Sequence, residues 1–242
     1  MRIHRVHTWQ DLEPGLKVSI RDRAAHYLVR VLRITSGQTI VLFNGDGHDY
    51  VAEVIRPGKS ELVLEVTSRL PAARESNLHI VVVQAISRGE RMDQTLQKCT
   101  ELGAHAFQPL FSERVEVRLR PEKLEKRMQH WQAVVVSACE QSGRAVVPEV
   151  RAPLDFGEWL FQADPAFRLA LAPGAEQSLV SLALPASIEL AVGPEGGFSE
   201  IEMDLMASHA VRPVSLGPRI LRTETAAPAA VAILQALGGD FV

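Results

Sequence analysis

Residues 78–86 form a nearly unbroken apolar run, and a strand that is apolar at both parities has no face to offer water. Such a strand needs cover on two sides, which calls for a sheet flanked by helices. The residues that follow supply them. Residues 91–102 place Met92, Leu96, Cys99 and Leu102 on one helical face and stop at Gly103. Residues 106–111 read as the next strand. Pro121 can open a long helix at its first position, with Leu124, Met128, Trp131, Val135 and Ala138 along one face and Gly143 to close it. Strands near 146–150, 168–172, 188–192 and 213–216 then alternate with helices near 155–162, 199–209 and 224–237. The expected fold class is α/β, an open parallel sheet with helices on both faces, in which ligands sit beyond the carboxyl ends of the strands.

The first 70 residues read differently. Residues 38–44 and 48–55 are β-rich and joined through Gly45-Asp46-Gly47, with Asn44-Gly45 a strong hairpin signal. Residues 62–66 alternate apolar and charged as a half-buried strand does, and 24–32 can form one short helix. A small barrel-like domain over 1–70 is the expectation. Residues 68–77 lack periodicity and carry Pro71, which puts a linker there and a second domain over 77–242.

With 46% hydrophobic and 23% charged residues the 242-residue chain is that of a globular protein, and no apolar run is long enough to cross a bilayer, so no membrane partner is expected. Residues 1–5 lack the apolar stretch of a secretory signal, so the expected location is cytoplasmic. Only Cys99 and Cys139 are present, which leaves no disulfide framework. His4, His7, His26 and His48 have neither cysteine partners nor ligand spacing, so no metal is expected. A net charge of −3 argues against indiscriminate coating of nucleic acid. The first 70 residues, however, hold ten Lys/Arg against eight Asp/Glu. Arg2, Arg5, Arg30 and Arg33 fall in that mildly basic unit, and guanidiniums can grip phosphate bidentately, so these four are the candidate RNA contacts. Trp9, Tyr27 and Tyr50 could stack on bases or fill a core. Arg91, Lys98 and Glu101 stand at helical spacings that make surface pairs.

Two loops near the C-terminus carry the chemistry. The strand 188–192 runs into Gly193-Pro194-Glu195-Gly196-Gly197-Phe198, and Ser199 with Glu202 then forms a capping box. Glycine removes the Cβ atoms that would hold a ligand away from the backbone. The pattern is neither the dinucleotide fingerprint, since Glu195 replaces a required glycine, nor a phosphate-binding P-loop, since no Lys-Ser/Thr follows. The second loop, after strand 213–216, is Leu216-Gly217-Pro218-Arg219-Ile220-Leu221-Arg222-Thr223-Glu224-Thr225-Ala226. Thr223 is a candidate N-cap and Glu224 suits the positive end of a helix dipole. The two strands are expected to be adjacent, which puts the loops side by side and makes one pocket with apolar walls, backbone donors and a few charges.

Both loops resemble the signature segments of the ribosomal RNA small subunit methyltransferase E family, the 16S rRNA uracil-N3 methyltransferases of the knotted SPOUT class. Ser87-Arg88-Gly89-Glu90-Arg91-Met92, Gln97-Lys98-Cys99-Thr100-Glu101-Leu102-Gly103 and Ala138-Cys139-Glu140-Gln141-Ser142-Gly143-Arg144 agree, as do Val31-Leu32-Arg33 and Phe43-Asn44-Gly45. The resemblance spans the chain. It implies a PUA-like β-barrel for RNA docking over 1–70 and, over 77–242, a domain threaded into a trefoil knot, which general topology rules disfavour. It also implies a homodimer acting on 16S rRNA within the small ribosomal subunit. The methyl donor S-adenosylmethionine would be contacted by Leu171, Gly193, Glu195, Gly196, Leu216, Ile220, Leu221 and Ala226. Ala172, Pro173, Pro194, Gly197, Gly217, Arg222 and Thr223 complete the expected cofactor pocket. Ala172 stands where relatives often carry His, and Ala145 where they often carry Asn.

The donor lacks phosphate, which suits glycine loops without a P-loop lysine. The acceptor sets the harder task, because uridine N3 carries a proton and lies inside a base pair until the base is turned out. Losing that proton spreads negative charge over O2, N3 and O4, which a guanidinium stabilises: Arg222 is the first candidate and Arg144 of the partner subunit the second. The general base is Glu195, Glu224 or Glu140. Two other readings stay open: a catalytically silent RNA-binding assembly factor, and a ribose 2′-hydroxyl methyltransferase of the same fold class.

Overall fold

A computed structural model of the chain describes residues 4–21, 25–58, 60–72, 74–116, 121–162 and 167–241. The chain divides into two compact units, one of Met1–Glu75 with Cys139–Val147 and one of Ser76–Ala138 with Pro148–Val242.

In the first unit five strands, β1 (Arg5–His7), β2 (Lys17–Arg21), β3 (Thr39–Phe43), β4 (His48–Pro57) and β5 (Glu61–Pro71), form a sheet in the order β1-β3-β4-β5-β2. Only the β1–β3 pairing is parallel. Gly45 and Gly47, at φ of +96° and +84°, let the chain reverse between β3 and β4. Alternation sends Ile40, Leu42, Ala52, Val54, Leu62 and Leu64 into one core. β5 runs on to Pro71, so residues 68–71, expected in the linker, are strand. Register shifts at Val51/Ala52 and Val54/Arg56 break the period by which that stretch would have been recognised. The helix expected at 24–32 is a π-helical turn over Tyr27–Val31, closed by Leu32 N–H donating to the Tyr27 carbonyl at 3.1 Å; Ala24 lies outside the described residues.

The candidate RNA contacts separate here. Arg30 and Arg33 are exposed, the latter at φ +53°, and Arg2 lies outside the described residues. Arg5 is drawn inward instead: its guanidinium is 2.6 Å from Asp49, donates to the Arg144 carbonyl at 3.0 Å and lies over the Phe43 ring. Its charge is therefore spent on holding the unit together. Tyr50 is core, its hydroxyl donating to Asp46 at 2.6 Å, and burial with that bond pushes its pKa up to about 12. Trp9 and Tyr27 remain exposed.

The second unit is a wholly parallel sheet of β6 (His79–Ala85), β7 (Ala106–Phe111), β8 (Glu149–Val150), β9 (Leu154–Asp155), β10 (Phe167–Leu171), β11 (Ser187–Val192) and β12 (Arg212–Val214). Its order is β12-β10-β11-β6-β7-β8, with β9 also on β7. Its helices are α1 (Arg91–Glu101), α2 (Pro121–Ser142), α3 (Phe156–Leu160), α4 (Glu200–Ser208) and α5 (Thr223–Gly238). Val81, Val83, Ala170 and Ala191 point to the face covered by Trp159 of α3 and Met206 of α4. The opposite parity faces α5, which packs on α1 and against β6 and β11. β8 is shorter than the expected 146–150 because residues 146 and 147 belong to the first unit. No helix among the described residues is long and apolar enough to cross a membrane.

One correction matters for the site. β11 and β12 are not neighbours, since β10 runs between them and pairs with both. The β10–β11 pair is braced by a buried ion pair across the ladder, Arg168 Nε to Glu189 Oε2 at 3.1 Å, with the Trp159 indole N–H donating to the same carboxylate oxygen. The remaining guanidinium nitrogens of Arg168 donate to the carbonyls of Leu160 and Gln162. Removing one charge from a pair this deep strands the other. Glu189→Gln should lower the free energy of unfolding by about 3 kcal/mol in a denaturant titration, and the double variant Arg168→Met/Glu189→Leu should recover much of that loss.

Candidate active site

The carboxyl ends of β10, β11 and β12 open onto a cavity of about 830 Å³, within the range of small-molecule sites. Leu171, Ala172 and Pro173 form the end of the middle strand. Gly193 to Phe198 lie on one side, Leu216 to Glu224 on the other. β10 therefore puts a third wall between two loops that the sequence placed directly side by side. Every residue expected to contact a cofactor lines this cavity: Leu171, Ala172, Pro173, Gly193, Pro194, Glu195, Gly196, Gly197, Leu216, Gly217, Ile220, Leu221, Arg222, Thr223 and Ala226. Ile220 is 84% exposed, an apolar side chain held at the mouth without cover from this chain.

Backbone geometry shapes the glycine loop. Gly197 N–H donates to the Pro194 carbonyl at 2.9 Å, closing a tight turn, and Gly197 takes φ +68°. A Cβ on Gly193 would lie 3.1 Å from Gly197 Cα and Phe198 N, so a side chain there would press on the backbone of the turn. A Cβ on Gly196 would meet Arg114, whose guanidinium donates to the Gly196 carbonyl at 2.8 Å. The expected N-cap is displaced by one residue. Arg222 is the N-cap of α5, and Thr223, its first helical residue, turns its hydroxyl to a different task. That hydroxyl donates to the Gly193 carbonyl at 2.9 Å and accepts from the Gln84 amide at 3.0 Å, joining the start of α5, the end of β11 and β6.

The charges sort into engaged and open groups. Arg91, expected in a helix-surface pair, instead reaches the glycine loop: it lies 2.6 Å from Glu195 and 3.8 Å from Glu224. The Arg88 amide also donates to Glu195 at 3.2 Å. Burial pushes the Glu195 carboxyl up, but these hydrogen bonds and the Arg91 charge outweigh it, and its pKa is held below the usual value. Lys98 and Glu101 do make the expected surface pair. Arg222 makes no ion pair among the described residues, and Glu224 keeps one buried oxygen, Oε2, without a hydrogen-bond partner. Glu140 and Arg144 belong to the first unit. There Glu140 accepts from the His7 amide, burial raising its pKa more than that bond and Arg5 lower it, and Arg144 is buried against Glu75 at 2.6 Å. No cluster of three His, Cys, Asp or Glu side chains that could hold a metal occurs among the described residues. Local spacing carries no signal for Arg91 or Arg114, because their partners in the loop lie 104 and 82 residues away along the chain.

The strand ends of the parallel sheet carry a glycine loop and an apolar loop around one cavity, and the matching family models give the class of the protein. Residues 74–235 match an RNA methyltransferase domain and residues 20–67 an RNA methyltransferase PUA domain. The ribosomal RNA small subunit methyltransferase E of Synechocystis is 36% identical over 91% of this chain and 73% of its own length, and that of Buchnera aphidicola from Schizaphis graminum is 31% identical over 99% and 98%. The crystal structure of this enzyme from Neisseria gonorrhoeae, bound to S-adenosyl methionine, superimposes with a TM-score of 0.93 at 38% identity, covering 100% of both chains. The chain belongs to the ribosomal RNA small subunit methyltransferase E family.

The Arg91–Glu195 bond ties the glycine loop to α1. Because the folded Glu195 pKa is depressed, the bond is complete above the ordinary glutamate value of about 4.3 and is lost as pH falls through the folded pKa. Hydrogen–deuterium exchange, corrected for intrinsic rate, should show residues 193–198 equally protected from neutral pH down to that value and deprotected below it. Glu195→Gln should show the deprotected level throughout.

Proposed function

We propose that this protein transfers a methyl group from S-adenosylmethionine to N3 of a uridine in 16S rRNA of the small ribosomal subunit. It does so as a homodimer in the cytoplasm, with the PUA-like unit docking RNA through Arg30 and Arg33. The observation that carries the reading is the meeting of both signature loops and residues 171–173 around one cavity, in a chain of this family. The residues fit the donor chemically. Backbone amides and carbonyls at 193–197 suit its polar groups, Leu171, Leu216 and Leu221 give the adenine apolar walls, and no phosphate-binding lysine lines the cavity. Glycine at 193 lets the loop close against its own backbone at Gly197 and Phe198, which sets the shape of that wall. When bound, the donor supplies an electrophilic methyl group on a sulfonium.

The chain's own residues then have three tasks. The loops exclude water and fix the donor's orientation, which supplies rate through alignment. Arg222, open on the cavity wall, stabilises the charge that spreads over O2, N3 and O4 as the uracil loses its proton. A carboxylate takes that proton. The knotted passage belongs to this proposal as well: the run from β12 to α5, pinned by Thr223 to Gly193 and Gln84, is the segment we read as threaded.

Calorimetry with S-adenosylhomocysteine and base-resolved mass analysis of treated small subunits test the reading. Binding of the nucleoside and a methyl on uracil N3 are expected. No binding would favour the assembly-factor reading, and a methyl on ribose would favour the 2′-hydroxyl enzyme. Gly193→Ala should weaken S-adenosylhomocysteine binding about tenfold or more, the cost of forcing a methyl into a packed turn. Arg222→Lys keeps the charge but loses the planar fork. It should cut turnover on the order of a hundredfold while leaving nucleoside affinity within about twofold.

A further inference from the structure

Three carboxylates compete for the role of proton acceptor, and their surroundings are unequal. Glu195 is engaged: one of its oxygens accepts from both the Arg91 guanidinium and the Arg88 amide. Protonating it would cost those bonds, and its job is to hold the glycine loop to α1. Glu140 is bonded to the His7 amide and belongs to the unit that does not form the cavity. Glu224 differs from both. Its side chain is 13% exposed and lines the cavity, yet Oε2 is buried with no donor in reach. A buried carboxylate oxygen left without a donor is costly in a finished structure and marks a place where a ligand brings one.

Its setting is rigid. Glu224 stands in the first turn of α5, and the preceding residue, Thr223, is fixed by two hydrogen bonds. Arg91 Nε is 3.8 Å from Glu224 Oε1, near enough to orient the carboxylate and too far to take up its lone pairs by hydrogen bonding. Arg222 lines the same cavity two residues earlier. A uracil edge presents N3–H flanked by two carbonyl oxygens, so it needs one acceptor beside a cation, which Glu224 and Arg222 provide from a single stretch of chain.

We infer that the Glu224 carboxylate is the proton acceptor for uracil N3; this rests on the reading of the protein as a uridine N3 methyltransferase. The N3–H bond breaks with its proton passing to the Glu224 carboxylate. The electron pair left on N3 forms the new bond to the methyl carbon as the donor's carbon–sulfur bond breaks, that pair staying on sulfur. The carboxylic acid then returns its proton to solvent.

Glu224→Gln keeps size and hydrogen bonding but cannot take a proton. Its thermal unfolding and S-adenosylhomocysteine affinity by calorimetry should match the unsubstituted protein within about twofold, while single-turnover N3 methylation of small subunits falls roughly a hundredfold or more. A nucleoside affinity that falls as far as the rate would make Glu224 a ligand for the donor's ammonium and overturn the inference. So would a single-turnover rate that Glu224→Gln leaves unchanged. Failure of the unsubstituted protein to methylate N3 would instead defeat the underlying reading.

Discussion

The hydroxyl of Thr223 is the smallest group on which the site depends. It accepts from Gln84 in the sheet interior and donates to the Gly193 carbonyl, so one oxygen sets the position of α5 against the end of β11. A hydroxyl can give and take at once, which neither an amide hydrogen nor a carboxylate can do. From that junction the cavity follows. β11 ends where Gly193 must lie close to Phe198, the turn closes on Pro194, and the second loop arrives at α5 with Arg222 and Glu224 on the cavity wall.

Around the junction the cations divide by partner. Arg91 and Arg114 are bound to the glycine loop, one to a carboxylate and the other to a main-chain carbonyl, and they serve as struts. Arg219 and Arg222 line the cavity without ion pairs among the described residues. The same division runs through the carboxylates, with Glu195 occupied and one oxygen of Glu224 unmet. A site that meets an anion forming during reaction needs such unspent charge, because a guanidinium already paired has little left to give.

Much of this architecture was legible because strands buried on both faces announce themselves. The apolar runs around Val82 and Leu190, the helix ending at Gly103 and the capping box from Ser199 to Glu202 are local patterns, and each element lies within a few residues of its expected bounds. What local pattern could not show was strand order. β10 entering between β11 and β12 is a fact of pairing, as are the reach of Arg91 to Glu195 and the inward turn of Arg5 to Asp49. Arginine reads the same in sequence whether it faces phosphate or a buried carboxylate. The strand character of residues 68–71 was hidden by the register shifts in the β4–β5 ladder, and the π-helical turn at Tyr27–Val31 by a sequence that suits an ordinary helix as well.

The composition of the first unit bears on how the chain acquires its shape during synthesis. Glu75 pairs with Arg144, and the Arg144 carbonyl receives the guanidinium of Arg5. A nascent chain that has left the ribosome only as far as residue 75 therefore lacks a piece of its own first globule. At about 5–20 residues per second, the delay until residues 139–147 emerge is on the order of ten seconds. Through that interval Glu75 has no guanidinium from Arg144, and a five-stranded sheet whose strands all lie before residue 72 must stand on its own ladder and hydrophobic interior until a late stretch of polypeptide seals the unit.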